Sequence, residues 1–150
     1  MTFLSQQDFT TVIAGTPLVS IDLIVENSDG EVLLGYRTNR PAKDYWFVPG
    51  GRILKNEKMD DAFLRLTKTE LGRQIPRSKG QFLGVFEHLY DDCVFDEGIA
   101  THYVVLGYKL ILDIGLQALP QEQHNEYRWF SVAEMLASDT VHKHTKWYVQ

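Results

Sequence analysis

The stretch GGRILKNEKMDDAFLRLTKTELG, residues 50–72, contains the pattern that decides the fold. It begins with two glycines and ends with a third, Gly72, and apolar residues recur at helical spacing between Met59 and Leu66. A glycine just after the last apolar position is a common helix stop, because glycine adopts the left-handed conformation without strain. The stretch therefore predicts a glycine loop followed by an amphipathic helix that ends before Gly72.

The same stretch carries groups suited to a metal ion beside phosphate. A backbone without Cβ atoms at Gly50 can approach a ligand closely, and Glu70 supplies a carboxylate of the kind that Mg²⁺ takes together with phosphate oxygens. Arg52 and Arg65 would meet diphosphate charge, because planar guanidinium groups match phosphate oxygens. Helix spacing by itself favours an ordinary surface arrangement, in which Glu70 faces solvent and Arg65 pairs with Glu57.

Strand and helix patterns flank this stretch on both sides. Alternating apolar residues in PLVSIDLIV predict a strand, and the turn NSDG with EVLLGYR predicts its antiparallel partner. Further strands are predicted at residues 46–48 and in GQFLGVFEHLY, THYVVLGYKLIL and YRWFSV. Helices are predicted in SQQDFTTVI, which starts with the cap Ser5, in VAEMLA and around the His-Lys-His region. The pattern predicts an α+β fold, an α/β/α sandwich in which helices flank a mixed sheet.

Composition predicts one soluble domain, residues 1–150. The chain is 44% hydrophobic and 12% aromatic, which is enough for a real core, and its net charge of -5 argues against a nucleic-acid partner. Its apolar runs are too short to span a membrane, and its start lacks the basic-then-apolar pattern of a secretory signal. With the single Cys93, these features predict a cytoplasmic protein without a membrane partner.

The spaced residues of the central stretch are similar to the Nudix box: Gly51, Glu57, Arg65, Glu70 and Gly72. The general Nudix pattern also has acids at the positions of Leu66 and Thr69, so this chain matches the box in part. A longer resemblance covers nearly the whole chain. It is carried by the segments GTPLVSID, TNRPAKDYWFVPGGR, RLTKTELG, FLGVFEHLYDD, THYVVLGYKL, EQHNEYRW and LASDTVH. Together these segments resemble the GDP-mannose mannosyl hydrolases, which are Nudix members that lack the same two acids.

This resemblance implies hydrolysis of GDP-mannose, or of a related GDP-hexose such as GDP-glucose, to GDP and free hexose. Because two anionic ligands are missing, it implies one Mg²⁺ per active site, with Mn²⁺ as an expected substitute. The implied metal ligands are Gly50, Glu70 and Gln123. His124 is the implied general base, which activates water for attack at the anomeric carbon with inversion.

The resemblance also implies roles for the remaining candidate residues. With His124, the catalytic set comprises Arg37, Arg52, Arg65 and Asp22. The expected substrate-binding residues are Phe3, Asp8, Tyr36, His88, Tyr90 and Tyr103. For three of these residues the sequence leaves an ordinary structural role open: a surface arginine, a polar sheet face and a helix cap describe Arg37, Asp22 and Asp8 equally well.

Four further histidines have ordinary explanations in the sequence. His88 and His102 lie on predicted strands, where a hydrogen-bonded structural role is as reasonable as a functional one. His142 and His144 stand two residues apart on a predicted helix and are expected to face different directions, which disfavours a metal pair.

Two other functions remain open on the sequence. A nucleotide-sugar pyrophosphatase would cut a P–O bond and release GMP and sugar phosphate, and Leu66 and Thr69 disfavour it. A noncatalytic GDP-sugar-binding protein is disfavoured by the catalytic groups Glu70, Gln123 and His124. The family resemblance further implies a homodimer, with the N-terminal segment taking part in nucleotide binding.

Overall fold

The computed structural model describes residues 3–120 and 126–150. Its helices are α1 (Gln6–Gly15), α2 (Met59–Leu71), α3 (Val132–Ala137) and α4 (Lys143–Lys146). Its strands are β1 (Leu18–Glu26), β2 (Val32–Tyr36), β3 (Trp46–Phe47), β4 (Gly50–Arg52), β5 (Gln81–Tyr90), β6 (Thr101–Ile111) and β7 (Tyr127–Phe130). Single 3₁₀ turns lie at Arg77–Lys79, Leu116–Ala118 and Trp147–Val149. In the described part of the chain, no helix has the length and apolar character needed to cross a bilayer.

The strands form one mixed sheet with β1 near its centre. The order is β3-β2-β1-β6-β5, with β4 also paired to β1 and β7 to β2. β1 and β6 run parallel from the pair Leu18 and Tyr103 to the pair Glu26 and Ile111, whereas the other pairings are antiparallel. This arrangement confirms the predicted mixed sheet and the antiparallel pairing of the first two strands.

Helices cover both faces of the sheet, as the α/β/α prediction requires. On one face, Ile21 and Leu23 of β1 pack with Phe63 of α2. On the other face, Ile24 packs with Met135 of α3. Side chains of a strand point alternately to the two faces, so consecutive residues of β1 enter opposite cores. The α+β sandwich is confirmed.

α2 forms because its apolar residues repeat on one face and its last turn has a glycine stop. Gly72 adopts φ 84° and donates its N–H to the carbonyl of Lys68, which closes the helix as predicted. Leu66 lies against the glycine loop, where a Cβ on Gly51 would stand 2.5 Å from Leu66 Cδ2. The helix therefore docks directly on β4 because Gly51 has no side chain.

An ion pair with a buried carboxylate joins this helix to the loop before it. Arg65 donates from Nε to Glu57 Oε2 at 2.8 Å and from Nη2 to Glu57 Oε1 at 3.0 Å, and Nη2 also donates to the carbonyl of Arg52. The Glu57 side chain is only 1% exposed, and it accepts the N–H of Leu54 as well. The pairing of Arg65 with Glu57 that helix spacing favoured is confirmed, and it holds residues 52–57 against α2.

We expect Glu57→Gln to lower the free energy of unfolding by about 2 kcal/mol at pH 7, because Arg65 loses its charged partner. The hydrogen bonds from Arg65 lower the pKa of Glu57 from its ordinary value near 4.5. The stabilisation is therefore complete above that value and is lost as the pH falls through the lowered pKa, so the difference between the two proteins should vanish in acid. Urea unfolding at several pH values measures this.

The matched control is Glu97→Gln, which removes the exposed partner of Arg40, a glutamate whose side chain is 83% exposed. We expect that change to cost less than about 0.5 kcal/mol, because solvent screens exposed pairs. Equal losses from the two substitutions would contradict a structural role for the buried pair.

Candidate active site

A cavity of about 290 Å³ opens beside the paired strands β1 and β4. β1, β4, β5, β6, α2 and the segment after β2 all contribute to its lining. The predicted site residues among its lining are Asp22, Arg37, Gly50, Arg52, Glu70, His88, Tyr90 and Tyr103. Residues that are far apart in the sequence thus meet around one space that combines carboxylates, guanidinium groups and aromatic hydroxyls.

Glu70 is buried, contrary to the arrangement in which it would face solvent. It is 3% exposed, and its Oε1 accepts the N–H of Gly50 at 3.3 Å. Its Oε2 is buried without a hydrogen-bond partner among the described residues. Burial raises the pKa of Glu70 to about 7, against the opposing effects of the Gly50 N–H and Arg37. An orphaned buried carboxylate oxygen is costly unless a cation or donor reaches it.

Glu70 is the group of α2 that could hold a metal ion in this cavity. Outside residues 1, 2 and 121–125, no three acidic, histidine or cysteine side chains cluster as metal ligands. Leu66 is 3% exposed within the core and offers no ligand. A single carboxylate, that of Glu70, fits a hard cation such as Mg²⁺, which completes its shell with water and phosphate oxygens. The predicted ligand Gln123 lies outside the described residues, as does His124.

Asp22 reaches the cavity from β1 and has a partner that the sequence analysis did not identify. Tyr148 donates its hydroxyl to Asp22 Oδ2 at 2.6 Å. Burial raises the pKa of Asp22 to about 7, although the Tyr148 hydrogen bond and the charge of Arg37 act in the opposite direction. Asp22 is therefore a half-buried group of the cavity rather than part of a solvated sheet face.

Two arginines bring positive charge to the same cavity. The guanidinium of Arg52 lies 4.1 Å from the ring centroid of Phe9 in α1, and that of Arg37 lies 5.7 Å from the ring of Phe47. Contact with an aromatic face orients a guanidinium group, whose N–H groups lie at its edge. Arg37 also donates from Nε to the carbonyl of Asn39 at 3.5 Å, and the guanidinium groups bring positive charge suited to an anion. Arg37 is half-buried and lines the cavity.

The aromatic and histidine groups of the cavity are uncharged at neutral pH. Burial lowers the pKa of His88 to about 4 and raises the pKa values of Tyr90 and Tyr103. These side chains therefore present neutral hydrogen-bonding groups, which suit sugar hydroxyls.

His88 also stacks on a histidine of the C-terminal region. The ring centroids of His88 and His144 are 4.4 Å apart with an interplanar angle of 12°. The prediction that His142 and His144 face different directions is wrong, because their ring centroids are 4.5 Å apart. The reason is that α4 begins after His142, whose Nδ1 caps the helix by accepting the N–H of His144.

Four predicted site residues do not line the cavity as the structure describes it. Arg65 is engaged by Glu57, so its catalytic assignment rests on the family resemblance alone. The Tyr36 hydroxyl donates to Asp44 at 3.4 Å and its ring packs on Trp46. The remaining two are Phe3, which is 67% exposed, and Asp8, whose N–H donates to the helix cap Ser5.

The cavity includes polar groups that sequence reasoning missed. Ser20, Thr38 and Asn39 line it with the candidates above. Ser20 precedes Asp22 by two residues and points to the same side of β1, so strand alternation gave a signal for it. No local signal identifies Tyr148, because its contact with Asp22 joins residues that are 126 positions apart in the chain.

Known proteins are similar to this chain in sequence and in fold. The chain is 38% identical over 112 residues to the low-salt glycan biosynthesis protein Agl8 of Haloferax volcanii. The aligned region covers 75% of this chain and 70% of that one. It is 39% identical over 70 residues to the ADP-ribose pyrophosphatase of Methanocaldococcus jannaschii, over 47% of this chain and 40% of that one. The fold is similar to the MutT protein of Methanosarcina mazei, with a TM-score of 0.70 at 18% identity over 89% and 91% of the two chains.

A protein-family model also matches this chain. The NUDIX domain model matches residues 16–150, which include the cavity-lining strands, the glycine pair and α2. This match covers most of the chain and agrees with the glycine loop, the helix and the buried Glu70 described above. The chain belongs to the Nudix family.

Proposed function

We propose that this chain hydrolyses a GDP-hexose, GDP-mannose or a close relative such as GDP-glucose, to GDP and free hexose. The observation that carries the proposal is the single carboxylate that α2 gives to the cavity. Glu70 is buried, and its Oε2 has no hydrogen-bond partner in residues 3–120 and 126–150, whereas Leu66 is packed in the core. A site with one anionic ligand from this helix suits neutralisation of a departing diphosphate better than activation of a metal-bound nucleophile for attack at phosphorus.

The lining residues support this assignment by their chemical types. Arg37 and Arg52 would bind the diphosphate, and Asp22, His88 and Tyr103 would bind sugar hydroxyls. Mg²⁺ held by Glu70, with Gly50 and Gln123 as further proposed ligands, would supply Lewis-acid neutralisation of the leaving GDP. The arginines share that charge, so the leaving group needs no proton.

His124 is the proposed general base, and its assignment rests on the family resemblance. A neutral imidazole is abundant near pH 7 and would take the proton of the water that attacks the anomeric carbon. Attack opposite the leaving GDP inverts the configuration of the sugar, through a transition state with oxocarbenium character. A homodimer is part of the same proposal, because the resemblance assigns the N-terminal segment to nucleotide binding.

A second candidate is a nucleotide-sugar pyrophosphatase. The similarity to a protein named ADP-ribose pyrophosphatase favours P–O cleavage, although it spans less than half of either chain. The similarity to a glycan biosynthesis protein favours a sugar-related role in general. A noncatalytic sensor is the third possibility, which binding without turnover would reveal.

Hydrolysis of GDP-mannose in ¹⁸O-water distinguishes these functions. We expect GDP without the label and mannose carrying ¹⁸O at its anomeric carbon, measured by mass spectrometry, with the inverted anomer formed first in ¹H NMR. Free mannose exchanges its anomeric oxygen with water, so a parallel sample of mannose and enzyme corrects for that exchange. GMP and mannose phosphate, with the label on the phosphate of one of them, would instead support the pyrophosphatase.

Glu70→Gln tests the metal site without an activity assay. In metal-free buffer at pH 8 we expect the variant to unfold at a higher temperature, because the neutral amide avoids the cost of burying an ionised carboxylate, the same cost that raises the pKa of Glu70 to about 7. The increase in melting temperature that Mg²⁺ and GDP give the natural protein should be lost. Glu87→Gln on exposed β5 is the control. An unchanged Mg²⁺ titration in Glu70→Gln would place the ligand elsewhere.

His124→Ala should lower kcat by about 10²–10⁴-fold if His124 is the general base. His102→Gln is its control, because His102 is absent from the cavity lining. Steady-state kinetics with GDP-mannose and saturating Mg²⁺ measures both. A near-normal kcat for His124→Ala would transfer the role of base to another group.

A further inference from the structure

Asp22 stands between two glycines in the sheet. It pairs with Gly50 of β4 on one side and with Gly107 of β6 on the other. Neither glycine has a positive φ, so the backbone conformation does not require glycine at either position. Their shared property is therefore the space that a missing side chain leaves beside Asp22.

Each glycine makes room for a different group. A Cβ on Gly50 would stand 2.5 Å from Asp22 Oδ1, which is too close for any side chain. A Cβ on Gly107 would stand 3.0 Å from Cε1 of Tyr148 and 3.2 Å from Cε2 of Phe86. One glycine thus accommodates the carboxylate and the other accommodates the tyrosine ring that binds it.

Tyr148 is held from several sides. Its ring packs edge-on against Phe86, with centroids 4.7 Å apart at 73°. Its hydroxyl donates to Asp22 Oδ2 at 2.6 Å and lies 3.5 Å from His88 Nε2. His88 stacks on His144 of α4, and α4 continues into the turn Trp147–Val149 that carries Tyr148. The direction of the hydroxyl is thereby fixed by both the sheet and the C-terminal helix.

This contact does more than anchor the C-terminal turn. Asparagine could accept the same hydrogen bond without the cost of burying a charge, yet the position holds a carboxylate that lines the cavity. The bond occupies Oδ2 and leaves Oδ1, beside Gly50, as the oxygen able to accept another hydrogen bond. The arrangement suits a carboxylate held in one orientation for a ligand.

We propose that Tyr148 is a positioning residue, which fixes the Asp22 carboxylate so that Oδ1 accepts a hydroxyl of the reacting sugar. This inference rests on the proposed GDP-hexose hydrolysis and adds a residue to its sugar site. Tyr148 acts through Asp22 and does not itself touch the substrate. The expected loss without it is about 10–100-fold in kcat, which is the size of a charge-assisted hydrogen bond that keeps a reacting group in place.

The test compares two tyrosine-to-phenylalanine changes. Tyr148→Phe removes the hydroxyl at Asp22, and Tyr108→Phe removes one that accepts from Arg77 at 3.2 Å outside the cavity lining. With GDP-mannose and Mg²⁺, we expect Tyr148→Phe to lower kcat by about 10–100-fold while the affinity for GDP alone stays within about threefold. Tyr108→Phe should stay within about twofold of the natural kcat. A natural kcat for folded Tyr148→Phe overturns the proposal.

A double-mutant cycle separates positioning from mere stabilisation. In an Asp22→Asn background, measured in single turnovers, Tyr148→Phe should change the rate by less than about twofold, because the carboxylate it positions is gone. Full multiplication of the two losses would mean that Tyr148 acts independently of Asp22, which overturns the proposal. Gly107→Ala keeps the Tyr148 hydroxyl but displaces its ring. We expect a smaller loss of rate than Tyr148→Phe gives, and that loss should likewise disappear in the Asp22→Asn background.

Failure of this inference is distinguishable from failure of the proposed function. Product analysis of the natural protein tests the reaction and involves no variant. Crystal structures of the natural protein and of Tyr148→Phe test the positioning with no substrate present. A rotated Asp22 carboxylate in the variant supports the inference, and an unchanged carboxylate overturns it.

Discussion

The close approach of Gly50 to two carboxylates is the constraint on which the rest of the site depends. Its N–H donates to Glu70 of α2, and its missing side chain leaves room for Asp22 of β1. Any side chain at this position would collide with Asp22 or with the carbonyl of Ile21. The glycine therefore lets the helix carboxylate and the strand carboxylate share one cavity, and the charge of Asp22 contributes to the raised pKa of Glu70. A neighbouring negative charge disfavours the ionised form of a carboxyl, whereas the positive charge of Arg37 favours the ionised form of both groups.

The parts of the fold around the cavity offset the free energy of folding that its polar groups cost. The buried Glu70 carboxylate is costly, since its Oε2 has no partner in the part of the chain that the structure describes. The two apolar cores on either face of the sheet, together with the ion pair between Arg65 and Glu57, hold the elements that carry those groups. Arg65 thus contributes to the site by fixing the loop after β4, even though it lies outside the cavity lining. Folds commonly accept local destabilisation at functional sites in this way.

Local patterns predicted the fold well, because the signals for its elements lie within a few residues. The apolar repeat and Gly72 defined α2, and Ser5 defined the start of α1. The site was predicted less completely, because its geometry depends on contacts between distant parts of the chain. The bond between Tyr148 and Asp22 has no local signal. The error at His142 arose because a shift of one or two residues in the start of a helix changes which way a side chain points.

Burial also separates the charged from the neutral groups of the cavity, and this has a chemical consequence. Arg37 and Arg52 line the cavity with guanidinium groups, whereas the lowered pKa of His88 keeps its imidazole neutral at pH 7. A protonated His88 would compete with the arginines for a diphosphate and would oppose positive charge that develops on a sugar ring. A neutral imidazole can still hydrogen-bond a sugar hydroxyl without that penalty. The neutral imidazole of His88 therefore suits a reaction in which positive charge grows on the sugar while negative charge leaves with the nucleotide.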